Sequence, residues 1–103
     1  CWAMGGYAGH AGAFGTARNL LRFGQSLLGG FLSRPVLRES WTRVSAPVGC
    51  DRTPGWDTPS GETPALGKIF STASVGHLGF TGTSFWIDPR NEVVVTLLTN
   101  RVH

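Results

Sequence analysis

The sequence predicts an α+β fold in which two helices precede a three-stranded antiparallel meander. Two segments in the first half of the chain carry apolar residues at helical spacing, and each follows a residue suited to capping a helix. After residue 73 come three short runs rich in β-branched and aromatic residues, separated by turn residues. Helices followed by strands, rather than alternating with them, are the order typical of α+β proteins.

The first helix is expected after a glycine-rich opening at residues 5–15, which cannot be regular helix. Thr16 stands where an N-cap is needed, and Gly29 and Gly30 end the helix because glycine tolerates a positive φ. The residues between them place one apolar face at helical spacing: Ala17, Leu20, Leu21, Leu27 and Leu28.

A second helix is expected from Ser33, its cap, to Pro47, which closes it. Pro35 falls in the first turn, where a missing N–H does no harm. Its apolar side is expected to hold Val36, Leu37, Trp41 and Val44. Residues 48–68 are rich in Pro, Gly, Thr and Ser and predict a loop, with a short strand possible around Trp56.

Three strands are predicted at residues 74–80, 83–87 and 93–99. Asp88 and Pro89 begin a segment with the chemistry of a type I turn. The last run is continuously apolar, which indicates a strand that needs cover on both faces. Because the chain offers only two amphipathic helices, we expect an exposed apolar face and sheet edge, and self-association of the isolated chain.

Composition narrows the class of protein. The chain has 103 residues, 41% of them hydrophobic, and a formal net charge of +3 carried almost wholly by scattered arginines. A nucleic-acid interface needs a basic stripe, so we expect no nucleic-acid partner. No segment approaches the length of a membrane span.

Cys1 and Cys50 do not make a disulfide framework, and their pairing stays open. Cys1 is interpreted as a truncation point rather than a nucleophile or lipid-modified residue.

Two local patterns and the three histidines resemble functional motifs but do not meet their spacing. Residues 61–68 resemble a phosphate loop but carry one residue too many, and Ser84 lacks the second glycine of a nucleophile elbow. His10, His77 and His103 lack metal-ligand spacing, so no metal and no cofactor is expected. The two aspartates that stand beside turn residues, Asp57 and Asp88, are expected to cap turns.

The stretch from Gly76 to Pro89 is the most informative part of the sequence. Its His77-Leu78-Gly79 step leads into a strand-like segment and then an Asp-Pro turn. It resembles the third motif of the serine β-lactamase and penicillin-binding-protein superfamily, usually Lys-Thr-Gly, which is often His-x-Gly in D-alanyl-D-alanine carboxypeptidase-like and esterase-like members. A Gly-His-Ala-Gly loop, a Leu-Ser-Arg-Pro helix start and a Gly-Trp-Asp segment precede it in the family's order, so the resemblance covers nearly the whole chain.

The resemblance implies a fold and a set of site residues. Family members hold an antiparallel sheet against a helical subdomain and form an acyl-enzyme through the serine of a Ser-x-x-Lys motif. His77 would be the basic residue of the third motif, and the Phe80 backbone amide would be one donor of the oxyanion hole. The residues implied in binding a small acyl substrate (a β-lactam, a D-Ala-D-Ala peptide or an ester) are Leu78, Gly79, Thr81, Tyr7 and His10.

The sequence departs from the family at the nucleophile. No serine here has a lysine three residues later, and Tyr7 is not followed by the x-Asn of the second motif. We therefore expect residues 1–103 to be the C-terminal part of a β-lactamase-like domain, short at both ends, whose isolated chain is inactive. A catalytically inactive binding or structural unit is the alternative. Localisation stays open, with a periplasmic or secreted parent protein compatible with the family.

Overall fold

A computed structural model describes residues 2–61 and 66–102 of the chain. A short 3-10 helix, Trp2–Met4, precedes helix α1 at Ala17–Leu28 and helix α2 at Arg34–Ser40. Three strands follow, β1 at Val75–Leu78, β2 at Ser84–Asp88 and β3 at Val93–Leu97. They form an antiparallel sheet in the order β1-β2-β3. The predicted α+β class, with two helices and a three-stranded meander, is confirmed.

Helix α1 begins and ends where the sequence predicts. The Thr16 hydroxyl accepts a hydrogen bond from the Asn19 amide at 3.2 Å, which satisfies one of the free donors of the first turn. At the other end, the Gly29 amide donates to the Gln25 carbonyl at 2.8 Å. Gly30 then takes a φ of +91°, a conformation that side chains disfavour, and the helix cannot continue.

The core lies between α1 and the sheet. Leu27 of α1 packs with Val75 and Ile87, and all three are buried. Gly24 lets the helix approach closely, because a Cβ built there would lie 2.6 Å from Cγ1 of Val94. Half-buried residues complete this core: Leu28, Leu37, Trp41, Trp56, Phe85 and Val94. Burial of these apolar side chains is the main source of stability.

Helix α2 is shorter than predicted. It ends at Ser40 with Trp41 as its C-cap, whereas the sequence analysis extended it to Pro47. The Thr42 hydroxyl bonds back to the Arg38 carbonyl, and the Val44 amide donates to the Arg52 carbonyl at 2.9 Å. Val44 therefore belongs to a loop contact rather than to the helix, because its amide has a partner outside the helix.

The strand predicted around Trp56 is reduced to two isolated bridges, Thr53 with Trp56 and Asp57 with Gly76. The strand predicted at 74–80 is also too long. Gly79 leaves the ladder because its amide donates to the Thr83 carbonyl at 2.8 Å and closes the turn between β1 and β2.

The turn after β2 is built around a buried carboxylate. We call residues 88–91 together with Ser71 the Asp88 turn. Oδ1 of Asp88 accepts from the Ser71 hydroxyl at 2.7 Å and from the amides of Arg90 and Asn91 at 3.0 and 3.2 Å. Oδ2 accepts from the Ser71 amide and the Asn91 side chain, both at 2.8 Å. The predicted capping role of Asp88 is confirmed.

Asp88 is fully buried, yet it is held in the charged form. Burial alone would raise the pKa of its carboxyl group, since a low-dielectric site disfavours charge. The hydrogen bonds from the amide and hydroxyl of Ser71 and from Asn91 outweigh this cost, and the pKa of Asp88 lies well below its ordinary value.

Strand β3 is covered on one face among the residues that the structure describes. Val94 and Thr96 are half-buried, and Val94 packs against α1. Val93, Val95 and Leu97 alternate with them and are exposed. This is the exposed apolar face that the sequence predicts. In residues 2–61 and 66–102, no helix has both the length and the apolar character needed to cross a bilayer.

Candidate active site

His77 lies near the end of β1, opposite Phe85 of β2. Its side chain is 58% exposed. Nδ1 lies 2.7 Å from the Leu78 carbonyl oxygen, which can only accept, so this nitrogen carries a proton. Nε2 is then the ring nitrogen left without a main-chain partner. The ring thus presents Nε2 near solvent, as a general acid, base or anion-binding group requires.

The turn after His77 exposes its main chain. We call residues 77–81 the His77 edge. The Gly79 carbonyl accepts from the Gly82 amide at 3.0 Å, and the Phe80 side chain is 81% exposed. No hydrogen bond joins the Phe80 amide to any residue that the structure describes. A main-chain amide without a partner, three positions after a histidine, is a donor available to an incoming oxygen atom.

Two features hold the turn in this shape. A Cβ on Gly79 would overlap the Thr83 hydroxyl, so a side chain at this position would displace Thr83. The segment after β3 also crosses the turn. The Arg101 amide donates to the Thr81 carbonyl at 3.0 Å, and the Thr99 hydroxyl donates to the Gly82 carbonyl. The Arg101 guanidinium lies 5.9 Å from the centre of the Phe80 ring, within the range of a cation–π contact.

Asp57 approaches His77 from the outer side of β1. Its amide donates to the Gly76 carbonyl at 2.7 Å and its carbonyl accepts from the Gly76 amide at 3.0 Å. Its carboxylate lies 3.1 Å from Nε of Arg52 and 3.9 Å from Nε2 of His77. The prediction that Asp57 caps a turn is wrong, because its side chain faces two basic groups instead.

Sequence reasoning missed Asp57 as a neighbour of His77. The two residues are 20 positions apart, and no local motif spans that gap. The available signal was the Gly55-Trp56-Asp57 segment, which was used for the family resemblance while Asp57 itself was expected only to cap a turn. Pairing of Asp57 with Gly76 is what brings the carboxylate to the site.

The glycine-rich loop places its two candidates in a tight turn. Ala8 and Ala11 exchange two hydrogen bonds, of 2.9 and 3.1 Å, with Gly9 and His10 between them. Tyr7 is 87% exposed and His10 is also exposed. No hydrogen bond or ion pair links either side chain to the His77 edge within the described parts of the chain. Their contact with substrate stays a prediction.

Some predictions fall outside residues 2–61 and 66–102. Cys1, His103 and residues 62–65 of the phosphate-loop look-alike are among them. Of the residues described, no three His, Cys, Asp or Glu side chains are grouped to hold a metal ion. The groups that the structure places at or near the His77 edge are an imidazole, a free amide and the Asp57 carboxylate.

Comparison with known proteins identifies the fold that carries this edge. A family model described as "Beta-lactamase" matches residues 2–103. The chain belongs to the β-lactamase family. Its two helices and three-stranded sheet are consistent with part of a β-lactamase-like fold, and the resemblance drawn from the sequence is confirmed. No solved structure matches the chain.

Curated relatives carry the same indication. A protein of Salmonella gallinarum named "Putative D-alanyl-D-alanine carboxypeptidase" is 34% identical over 110 residues, covering 99% of this chain and 25% of the relative. Proteins with the same name from Salmonella enteritidis and Salmonella typhi are each 33% identical, with the same coverage. The chain thus spans about a quarter of the length of the curated relatives it matches.

Proposed function

We propose that this chain supplies one wall of the active site of a serine hydrolase that works through an acyl-enzyme. One observation carries the proposal. The His77 edge holds both an exposed imidazole, that of His77, and a main-chain amide that bonds to no described residue, that of Phe80 three positions later. Membership of the β-lactamase family supports the assignment. His77 and Gly79 stand where the sequence resembles the third motif of that family, and Phe80 directly follows them.

Each group has a distinct role in this mechanism. The Phe80 amide donates to the oxygen atom of the acyl group as negative charge develops on it in the tetrahedral intermediate. Nε2 of His77 donates a hydrogen bond to the substrate carboxylate or to the oxygen atom of a catalytic tyrosine. Gly79 lets the acyl group approach the strand, while Leu78 and Thr81 flank it. Tyr7 and His10 contact the substrate from the glycine-rich loop.

The nucleophile comes from elsewhere. No serine in the 103 residues begins a Ser-x-x-Lys motif, so a segment outside this sequence would have to provide the attacking hydroxyl and its base. We propose that residues 1–103 form part of a β-lactamase-like domain and that these residues alone do not turn over substrate. The name of the curated relatives favours a peptide ending in D-Ala-D-Ala over an ester or a β-lactam.

The coding sequence on both sides of residues 1–103 provides the first test. We expect an in-frame Ser-x-x-Lys motif upstream. Its absence would favour the alternative function, a non-catalytic binding unit, which the exposed apolar face of β3 also favours.

Kinetics of the full-length protein provide the second test. His77→Ala should lower the rate of acylation by about 100-fold, within the range for positioned acid–base groups, with little change in thermal stability. His77→Lys, which restores the cation of the commoner motif, should recover part of that rate. A large loss of stability at an unchanged acylation rate would show that His77 is structural.

The 103-residue chain alone provides the third test. Incubation with a fluorescent penicillin or a nitrophenyl ester should give neither a burst nor a covalent adduct by mass spectrometry. Stoichiometric acylation of any serine in this chain would overturn the proposal.

A further inference from the structure

We infer that Asp57 is the positioning residue for His77, and this inference rests on the proposed function. Asp57 would hold the imidazole ring over the His77 edge through its carboxylate, while Arg52 holds that carboxylate from the other side. Nothing in the local sequence of either residue marks this arrangement, because it depends on a contact between a loop and the edge of β1.

The backbone around Asp57 is fixed on three sides. Its amide and carbonyl both bond to Gly76, so the residue adds one rung to the free edge of β1 directly before His77. The preceding turn is closed by the two hydrogen bonds between Thr53 and Trp56, of 3.0 and 3.2 Å. The Trp56 indole donates to the Ser40 hydroxyl at 3.0 Å, which ties the turn to the end of α2.

Aromatic packing next to Asp57 and His77 restricts the movement of both residues. The Trp56 ring lies 6.3 Å from the ring of Phe85, and Phe85 is the residue that pairs with His77 across the sheet. Trp56 directly precedes Asp57, so Asp57 and His77 each adjoin one of two aromatic residues whose rings are close together. A side chain whose neighbours are packed in this way has fewer orientations, so less conformational entropy is lost when the substrate binds.

The charges are arranged so that each oxygen atom of Asp57 has one basic neighbour. Oδ1 faces Nε of Arg52 at 3.1 Å, and Oδ2 faces Nε2 of His77 at 3.9 Å. Nδ1 of His77 is engaged with the Leu78 carbonyl, so only Nε2 can respond to the carboxylate. At 3.9 Å the carboxylate attracts the protonated ring by charge without taking up the Nε2 proton, which stays available to the substrate.

This geometry defines what Asp57 does in the reaction. Because the His77 side chain is exposed, a ring without the carboxylate beside it can turn toward solvent and away from the substrate. Asp57 keeps the ring at the end of β1, from which the chain turns to the Phe80 amide. Its contribution is made through His77 and not through contact with the substrate.

The test uses the full-length protein and four substitutions. Asp57→Asn keeps the shape and the main-chain bonds to Gly76 but removes the charge. Arg52→Gln breaks the ion pair and leaves the carboxylate in place. Glu39→Gln is the matched control for loss of a carboxylate, because Glu39 is an exposed residue of α2. His77→Ala reports whether the histidine matters at all.

Three quantities should be measured for each variant: the acylation rate, the melting temperature, and the 15N chemical shifts of the His77 ring. We expect Asp57→Asn to lower the acylation rate about tenfold, equivalent to about 1.4 kcal/mol in the barrier, and to move the Nε2 resonance. Arg52→Gln should cost about threefold or less, and Glu39→Gln should match the wild type in all three measurements.

The outcomes separate the inference from the proposed function. If His77→Ala impairs acylation but Asp57→Asn does not, the inference fails and the proposed function stands. If His77→Ala has no effect, the proposed function fails and the inference falls with it. If Asp57→Asn lowers the melting temperature and the rate without moving the His77 resonances, Asp57 only stabilises the loop, and the inference is again overturned.

Discussion

The Asp88 turn and the His77 edge lie at opposite ends of the same hairpin strand and treat their polar groups in opposite ways. In the Asp88 turn, one buried carboxylate accepts five hydrogen bonds from within the chain. At the His77 edge, the imidazole is largely exposed and the Phe80 amide donates to no described residue. Strand β2 begins just after the His77 edge and ends at the Asp88 turn.

The difference separates a part built for stability from a part built for binding. A buried polar group that is fully paired makes its site rigid, and removal of any partner leaves others unsatisfied. An unpaired donor at the surface contributes little to folding, since water replaces its partner, but it remains available to a ligand. Substitutions at the two regions should accordingly affect different measurements.

The largest effect on stability should come from Asp88→Ala. It removes a buried acceptor and leaves the donors of the part-buried hydrogen bonds from Ser71 and Asn91 without a partner, so we expect a loss of about 3–4 kcal/mol in the free energy of unfolding. Chemical denaturation of the protein should show this as a lower midpoint with an unchanged slope. A loss below 1 kcal/mol would mean that water enters the turn and that the contrast with the His77 edge is false.

Lowering the pH should reduce the free energy of unfolding through the same turn, by less than Asp88→Ala does. The folded pKa of Asp88 lies below its ordinary value, so the carboxylate stabilises the fold fully above about pH 5. That contribution should be lost progressively as the pH falls through the ordinary carboxyl range, near 4, toward the lower folded pKa. Denaturation midpoints between pH 6 and pH 2 should fall less steeply for Asp88→Asn than for the wild type. Parallel curves would contradict the prediction.

Gly24→Ala should test how tightly the interior side of the sheet is packed. Overpacking against Val94 costs about 1–3 kcal/mol, while alanine favours helix over glycine by about 1 kcal/mol. We expect a net loss of about 1 kcal/mol in thermal or chemical unfolding. Gly9→Ala is the control, because the structure has no atom near that Cβ. Equal effects at both sites would show that the α1–β3 contact is loose.

The exposed apolar face of β3 should drive self-association of the isolated chain. We expect the isolated chain to associate through the exposed face of β3, and Val95→Lys to shift it toward monomer by about tenfold in dissociation constant, since a charge there opposes burial. Sedimentation over a concentration series measures this. A monomer that does not change on dilution and unfolds cooperatively would show that residues 1–103 are self-sufficient.

The smallest effect should come from Phe80→Ala. The side chain is exposed, and the Arg101 guanidinium lies near its ring, so the loss of stability should stay below about 0.5 kcal/mol. Acylation in the full-length protein should also change by no more than about threefold, because the proposed chemistry uses the main-chain amide, which alanine retains. A loss of 100-fold would mean that the ring itself binds substrate.

Much of the fold could be predicted because it depends on neighbouring residues. The start of α1 follows from a capping threonine and its end from two glycines, and the Asp88 turn follows from Asp-Pro chemistry. The predicted end of α2, at Pro47, was wrong. The Val44 amide bonds to the Arg52 carbonyl instead of continuing the helix, and nothing near Val44 in sequence indicates that partner. Propensity describes a segment alone, whereas a pairing across a loop decides between two possible structures.

The same limit applies to the site. His77, Gly79 and Phe80 lie within one short motif, so the sequence identified them together. Asp57 comes to the site only through its two hydrogen bonds with Gly76, and its role was misjudged as a turn cap. A carboxylate 20 residues away in sequence has no periodicity or spacing that would mark it.

The crossing of the turn by residues 99–101 has a consequence for how this region tolerates mutation. The Phe80 amide takes its direction from a turn whose carbonyls are held by Thr99 and Arg101, about 20 positions downstream. A scan that selects for activity should therefore find a second sensitive segment there, although its side chains do not take part in the proposed chemistry. A scan that selects for abundance should pass over that segment, so a comparison of the two maps would reveal it.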